Sequence, residues 1–106
     1  MYEILIVGGG PAGLTAAIYA ARAGKHVAVL ERGSTGGQII SAPLVENYPG
    51  IPSVSGTELA RQMTEQACTF GAEIVYTEAV GLEKTPAGFR VLCTDGVREA
   101  KTVILA

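Results

Sequence analysis

The residues most suited to chemistry in this sequence are three glycines that follow its first apolar segment. Gly8, Gly10 and Gly13 have the spacing G-x-G-x-x-G. In this motif the first glycine permits a tight turn from strand to helix, the second lets a pyrophosphate approach the backbone, and the third lets the helix pack closely on the strand. An anion bound there lies at a helix N-terminus, where free N–H groups and the helix dipole stabilise negative charge. The motif therefore predicts a dinucleotide-binding site.

Glu31 adds a hydrogen-bond acceptor to this site. It ends the second predicted strand, a position from which a carboxylate can accept hydrogen bonds from ribose hydroxyls. A 2′-phosphate on that ribose would be repelled by Glu31, and the neighbouring Arg32 offsets the repulsion only slightly. We therefore expect FAD or NAD at this site rather than NADP. A structural turn without any ligand is the alternative interpretation of the motif.

The elements that must position these residues alternate between strand and helix. Glu3–Val7 is a short apolar run typical of a strand buried on both faces of a parallel sheet. Gly13–Ala23 has the spacing of an alanine-rich helix and His26–Leu30 is a second strand, so the three form a βαβ unit with parallel strands. Ser55–Phe70 begins with the spacing of a capping box and predicts a second helix. Glu73–Thr77 reads as a third parallel strand.

The remainder of the sequence is typical of antiparallel β structure. Segments 80–84, 89–94 and 97–101 are separated by turns at 85–88 and at Asp95-Gly96. Residues 102–106 return to the pattern of a buried strand. The whole predicts an α/β, Rossmann-like fold with a parallel sheet and an antiparallel three-stranded β-meander.

Composition and charge exclude several classes of protein. The chain has 106 residues, 48% of them apolar, and a formal net charge of −2, which suits one small domain with a packed core. There is no basic stripe, so nucleic acid is not an expected partner. No apolar run approaches the roughly 20 residues that cross a membrane, and no basic segment of a signal peptide precedes the first strand. We expect a cytoplasmic protein without a membrane partner.

Two cysteines and one histidine are the remaining residues that could be reactive. Cys68 and Cys93 are too few for a disulfide scaffold and too far apart for a redox motif, and both fit small buried hydrophobic residues. His26 has no second histidine at ligand spacing and no nucleophile paired with it. We therefore expect no metal site and no catalytic residue in this chain.

A resemblance to a known family rests on the loop that follows the βαβ unit. The loop contains Gly36-Gly37-Gln38 and then Val45–Gly50, which reads Val-Glu-Asn-Tyr-Pro-Gly. These segments resemble, in order and spacing, the flavin-side loop of low-molecular-weight (bacterial-type) thioredoxin reductases, which are class II pyridine nucleotide-disulphide oxidoreductases. The resemblance is collinear from Tyr2 to Ala106. It implies the family's Rossmann-like ββα-type FAD/NAD(P)-binding fold, with FAD as the bound dinucleotide.

The resemblance also assigns cofactor-binding roles to residues outside the glycine motif. Gly37 and Gln38 correspond to the segment that runs along FAD toward the flavin, Asn47 to an amide near the isoalloxazine, and Val80 to backbone that meets adenine. A flavin edge alternates donors and acceptors, which an amide can pair with. The cofactor-binding residues expected are Gly8, Gly10, Pro11, Ala12, Gly13, Glu31, Arg32, Gly37, Gln38, Asn47 and Val80.

The resemblance implies a complete enzyme of which this chain is one part. Residues 1–106 correspond to the first half of a split FAD-binding domain, without the family's NADPH-binding domain, Cys-x-x-Cys disulfide and C-terminal return segment. In the complete enzyme, electrons would pass from NADPH to FAD, to that disulfide and to a thioredoxin-like partner, and we expect a homodimer. The chain alone is not expected to be catalytic. Two alternatives stay open: a segment of a ferredoxin–NADP reductase-like flavoprotein without the dithiol, and a non-catalytic module that binds a nucleotide weakly or not at all and oligomerises.

Overall fold

Six strands form one mixed sheet, with two α-helices on one of its faces, in a computed structural model that describes residues 1–106. The strands are β1 (Tyr2–Val7), β2 (Val27–Glu31), β3 (Glu73–Tyr76), β4 (Ala79–Thr85), β5 (Gly88–Cys93) and β6 (Gly96–Leu105), and the helices are α1 (Pro11–Arg22) and α2 (Gly56–Thr69). The strand order across the sheet is β3-β2-β1-β6-β5-β4. The predicted α/β class, with its parallel sheet and β-meander, is confirmed. Neither helix has the length and apolarity needed to cross a membrane.

The parallel half of the sheet is covered on both faces. β2 pairs in parallel with β1 and β3, and β1 pairs in parallel with β6. Because successive side chains of a strand point to opposite faces, Ile6 packs against helix residues such as Ala17, while Leu5 packs against Val91 and Ala100 of the meander. The uninterrupted apolar pattern of β1 and β2 follows from this two-sided burial.

β6 is one continuous strand where the sequence predicts two. Its first half pairs antiparallel with β5, with Val97 opposite Leu92, and its second half pairs in parallel with β1, with Val103 beside Leu5. The boundary predicted after Lys101 is therefore wrong. The residue pattern changes there because the neighbouring strand changes, while the chain itself runs on without a turn.

β3 and β4 occupy opposite ends of the strand order, yet only Thr77 and Glu78 connect them. The sheet must therefore curl, so that the meander lies over one face of the parallel half. The packing of Val91 against Leu5 and Leu30 fits this arrangement. The short connection passes the carboxyl end of β2, because the Thr77 N–H donates to the Glu31 backbone oxygen at 3.0 Å.

Both helices begin at residues suited to a helix start. α1 begins at Pro11, two residues before the predicted start, because proline has the backbone angle of the first helical position and needs no acceptor there. α2 is capped by Ser55, whose Oγ accepts the Glu58 N–H at 3.1 Å. The Glu58 carboxylate does not complete the capping box, since it accepts hydrogen bonds from Arg61 and Gln62. These partners, Arg61 first, lower the pKa of Glu58 to about 2.

The long loop between β2 and α2 has structure of its own. It contains a 3₁₀ helix, Gly37–Ser41, and a narrow loop closed by an antiparallel bridge between Val45 and Val54. At the tip the Ile51 N–H donates to the Tyr48 oxygen at 3.1 Å, and the positive φ of Gly50 permits the turn between them.

The two cysteines are unpaired. Cys68 is exposed on α2, so the prediction that it is buried is wrong. Its neighbour Ala67 takes the position facing the sheet, which turns Cys68 outward because consecutive helical residues do not share a face. Cys93 is half-buried beside the residues that pack under the meander.

Candidate functional site

The loop between β1 and α1 leaves the N-terminus of the helix open. Gly10 is the N-cap residue and no side chain caps the helix. The N–H groups of Ala12 and Gly13 have no acceptor in the chain, Pro11 has no N–H, and the first turn carries no acidic residue. In α2, by contrast, Ser55 supplies the acceptor. Open amides at a helix N-terminus are an anion-binding arrangement.

The three glycines of the motif differ in what a side chain would meet. Gly8 has φ +109, and a Cβ there would lie 2.6 Å from the Ala106 backbone oxygen. A Cβ on Gly13 would overlap the Gly8 carbonyl oxygen. At Gly10 the nearest atom to a Cβ would be the Gly36 oxygen at 3.9 Å. The chain thus fills the space at the first and third glycines and leaves it open at the second, where a pyrophosphate is expected to approach.

Backbone N–H groups hold the Glu31 carboxylate against the glycine loop. Its Oε1 accepts the Gly9 N–H at 2.9 Å, and its Oε2 accepts the Gly33 N–H at 2.7 Å. Each carboxylate oxygen retains capacity for a further donor, which two ribose hydroxyls can use. Arg32 follows on the surface, exposed and outside every ion pair of the chain.

Glu31 and Arg32 line a cleft of about 310 Å³ at the carboxyl ends of β1 and β2. Ligands of open α/β sheets bind outside the carboxyl ends of the strands. Gly8 contributes to the cleft from the glycine loop, and the connection between β3 and β4 contributes Thr77 and Glu78. The cleft therefore joins the phosphate loop, the carboxylate and the crossing connection.

Val80, the second residue of β4, lies two residues beyond this connection and is the extra residue of a β-bulge. Ala79 pairs with Cys93 and Gly81 with Leu92, so Val80 has no counterpart in β5. A bulge removes the extra residue from the regular ladder. Backbone groups at Val80 are thereby available to a ligand, which fits the expected contact with adenine.

The Gly36-Gly37-Gln38 segment lies directly on the glycine loop. The Gly36 N–H donates to the Gly9 oxygen at 2.7 Å, and a Cβ on Gly37 would lie 3.3 Å from the Gly10 Cα. Both Gly36 and Gly37 have positive φ, which favours glycine. Gln38 is exposed and its amide forms no hydrogen bond within the chain.

Asn47 is the one expected site residue that the structure does not join to this cluster. It is exposed in the narrow loop closed by Val45 and Val54, and no hydrogen bond connects its side chain to the glycine loop. Conversely, Gly9, Gly33 and Gly36 take part in the cluster without being expected from the sequence. Their signal was two glycine-rich segments, residues 8–13 after β1 and residues 33–37 after β2.

The largest cavity, about 530 Å³, lies elsewhere, between residues 34–40 and α2. Its only basic residue is Arg61, which Glu58 and Glu65 hold in ion pairs at 2.7 and 2.6 Å. The guanidinium charge is thus compensated within the chain. This cavity is lined neither by Glu31 nor by any residue of the glycine loop, whereas Glu31 and Gly8 both line the smaller cleft, and we take the smaller cleft as the functional site.

Comparison with known proteins bears on this cluster. A family model described as pyridine nucleotide-disulphide oxidoreductase matches residues 2–106. The chain belongs to this family.

Proteins similar to this chain include thioredoxin reductases. That of Treponema pallidum is 42% identical over 106 residues, covering 99% of this chain and 34% of its own length. That of Aquifex aeolicus is 44% identical over 109 aligned positions, covering 100% of this chain and 33% of its own. The crystal structure of thioredoxin reductase from Streptococcus pyogenes matches 99% of this chain and 34% of its own, at 46% identity and a TM-score of 0.96.

These matches confirm the predicted resemblance to bacterial-type thioredoxin reductases. They favour that interpretation over the ferredoxin–NADP reductase-like segment and the non-catalytic module. The chain spans about a third of the length of the curated relatives it matches.

Proposed function

We propose that residues 1–106 bind FAD as the first part of a split FAD-binding domain in a longer thioredoxin reductase-like flavoprotein. The observation that carries the proposal is the uncapped N-terminus of α1 beside the open Gly10, with the Glu31 carboxylate hydrogen-bonded to the adjacent Gly9. Membership of the pyridine nucleotide-disulphide oxidoreductase family and similarity to thioredoxin reductases support FAD as the dinucleotide.

The adenosine diphosphate half of FAD would use the glycine loop and the cleft. The N–H groups of Ala12 and Gly13 would donate to the pyrophosphate, which passes Gly10 closely because no side chain intervenes. Glu31 would accept from the ribose hydroxyls, and the Val80 backbone would meet adenine. Among the other expected residues, Gly8 and Pro11 set the turn and the helix start, and Arg32 lines the same cleft.

The flavin half would lie along the second loop. Gly37 would run beside it, and the free amides of Gln38 and Asn47 would offer donors and acceptors to the flavin edge. Bound FAD would supply the ability to take electrons from one partner and pass them to a disulfide. The chain's own part is to bind and orient FAD, and no residue of this chain is proposed as catalytic.

The activity of the whole enzyme is part of the proposal. In the longer protein we propose NADPH as electron donor, a Cys-x-x-Cys disulfide and a thioredoxin-like acceptor, in a cytoplasmic homodimer. Similarity to thioredoxin reductases supports the acceptor. The unpaired Cys68 and Cys93 agree with a reducing compartment. A solved ferredoxin-flavin thioredoxin reductase from Clostridium acetobutylicum, 32% identical with a TM-score of 0.89, makes the donor the step to test first.

The FAD-binding proposal is tested by titrating the purified chain with FAD and following flavin fluorescence. We expect saturable binding by the wild type and none by Gly10→Val, whose side chain would occupy the pyrophosphate position. Ala23→Val, an exposed residue at the other end of α1, is the matched control and should bind as the wild type does. Absence of wild-type binding would contradict the function, and retained binding by Gly10→Val would contradict the placement of the phosphates.

The electron donor is tested in the full-length protein. NADPH-dependent reduction of thioredoxin at a rate well above that with reduced ferredoxin would support the proposed enzyme. Reduction by ferredoxin alone would contradict NADPH as donor while leaving FAD binding intact.

A further inference from the structure

Thr77 is the only polar side chain in the chain that is buried, at 7% exposed. Its hydroxyl donates to Asp95 Oδ1 at 2.6 Å, and its backbone N–H donates to the Glu31 oxygen at 3.0 Å. Thr77 therefore joins the end of β2, which carries the proposed ribose acceptor, to the turn between β5 and β6. These segments are distant in sequence.

Asp95 is itself held by Arg98. Arg98 donates to both carboxylate oxygens, at 2.8 and 3.1 Å, and the paired guanidinium lowers the pKa of Asp95. The adjacent Thr94 N–H donates to the Glu78 oxygen at 2.9 Å. The turn between β5 and β6 is thus hydrogen-bonded to both residues of the connection between β3 and β4.

These hydrogen bonds matter for the cleft, because few other interactions hold the connection between β3 and β4 in place. It joins the two edge strands of the sheet, and neither Thr77 nor Glu78 belongs to a strand ladder. The same two residues, with Ala79, form the cleft wall that faces Glu31, and the bulged Val80 follows directly. The hydrogen bonds that fix the connection therefore also fix the distance between the Glu31 carboxylate and the backbone of Ala79 and Val80.

We propose that the Thr77–Asp95–Arg98 cluster positions the wall of the cleft that receives the adenosine half of FAD. The inference rests on the proposed FAD binding and deepens it. The three residues are positioning residues, since they act through the backbone of residues 77–80. Without the Thr77 hydroxyl, the wall keeps the backbone hydrogen bond from Thr94 to Glu78 but loses its side-chain hydrogen bond to Asp95, while the loop that presents the amides of Ala12 and Gly13 loses no hydrogen bond.

The test compares FAD affinity across matched variants of the 106-residue chain. Thr77→Val preserves side-chain shape and removes the hydroxyl, and we expect it to weaken FAD binding about fivefold to tenfold, as for one lost hydrogen bond. Thr77→Ser keeps the donor and should bind within about twofold of the wild type. Thr64→Val removes a hydroxyl that donates to Ala60 within α2, outside the cleft, and should leave the affinity unchanged.

A second pair of measurements distinguishes positioning from a general loss of stability. Asp95→Ala should weaken FAD binding at least as much as Thr77→Val does, because it also removes the two hydrogen bonds from Arg98. The double variant should bind no more weakly than Asp95→Ala alone, because the Thr77–Asp95 hydrogen bond is already absent there. Without ligand, the amides of Thr77 and Thr94, which donate to the Glu31 and Glu78 oxygens, should exchange hydrogen faster in Thr77→Val, while the amide of Leu14, which donates to the Gly10 oxygen, should exchange at the wild-type rate.

The outcomes separate this inference from the function on which it rests. A wild type that does not bind FAD refutes both. A wild type that binds FAD, with Thr77→Val equally tight or Thr77→Ser as weak as Thr77→Val, refutes the positioning role alone. Uniformly faster exchange across the chain in Thr77→Val also refutes it, because the hydroxyl would then act on stability only.

Discussion

Alanine at Gly10 and alanine at Gly13 should have opposite effects, although the two positions are three residues apart. Gly10 has φ −77 and ψ −171, which alanine adopts freely, and its Cβ would meet nothing nearer than the Gly36 oxygen at 3.9 Å. We expect Gly10→Ala to change the free energy of unfolding by less than about 1 kcal/mol.

At Gly13 the added Cβ would overlap the Gly8 carbonyl oxygen and lie 3.0 Å from the Gly8 carbonyl carbon. The obstacle is backbone, which also has a role in the tight turn, so it cannot rotate away as a side chain would. Forced insertion of a methyl group into a packed site costs about 1–3 kcal/mol, and we expect Gly13→Ala to reach or exceed about 3 kcal/mol. That is a large share of the stability of a small domain, typically about 5–15 kcal/mol.

FAD binding should respond in the reverse order among molecules that remain folded. At Gly10 the methyl group would stand where the pyrophosphate approaches the amides of Ala12 and Gly13. Losing one hydrogen bond to a charged group costs about 1.5–3 kcal/mol, which weakens binding about 10-fold to 100-fold. Gly13→Ala should bind FAD with an affinity reduced mainly in proportion to its unfolded fraction, because its methyl group would point at the Gly8 carbonyl and not at the pyrophosphate position.

The assay pairs urea unfolding, followed by circular dichroism, with fluorescence titration of FAD on the same preparations. A Gly10→Ala variant that binds as tightly as the wild type would show that the phosphates do not pass this residue. Equal destabilisation by the two alanines would show that the space at Gly10 is not open. Either result would refute the inference that Gly10 leaves space for the pyrophosphate while Gly13 permits close packing of the chain.

Two further predictions concern stability alone. Gly36→Ala should destabilise the fold by about 2 kcal/mol or more, because its φ of +101 disfavours alanine and its Cβ would overlap that of Ala60. Adding Ala60→Gly should recover only the part of this loss that comes from the overlap of the two Cβ atoms. Full recovery of the free energy of unfolding in urea would exclude backbone strain at Gly36. Glu58 has its pKa lowered from 4.5 to about 2, chiefly by Arg61, so its contribution is complete above pH 4.5 and is lost as the pH falls toward 2. Glu58→Gln should therefore be less stable than the wild type near neutral pH and equal to it near pH 2, and a gap that does not change with pH would contradict this.

The parallel half of the fold could be predicted from the sequence because its information is local. An apolar run ended by glycines, a helix of small residues and a second apolar run specify a βαβ unit within about 30 residues. The strand after Glu73 follows the same rule. The course of β6 could not be predicted, since no local feature tells whether a strand keeps one partner or exchanges it midway.

Side-chain partners across the fold were likewise beyond sequence reasoning. The spacing of Ser55 and Glu58 predicts a full capping box, but Arg61 competes for the carboxylate and only half of the box forms. Cys68 and Ala67 are both compatible with burial, and only the orientation of α2 on the sheet decides between them. Thr77 and Asp95 show no motif at all, because their contact arises from the curl of the sheet.

Gly9, which the G-x-G-x-x-G motif leaves unspecified, connects the segments that surround the motif. The Gly9 N–H donates to Glu31 at 2.9 Å and the Gly9 oxygen accepts from Gly36 at 2.7 Å, so one residue joins the phosphate loop to the carboxylate and to the flavin-side loop. A Cβ on Gly9 would lie 3.2 Å from both the Cβ and Oε1 of Glu31. A larger residue at Gly9 would therefore push the Glu31 side chain by a few tenths of an ångström, so the geometry of this site favours glycine between the first two motif glycines. These hydrogen bonds lie within the chain and help to hold the three segments around the motif in one arrangement, which lowers the ordering cost that a dinucleotide must overcome.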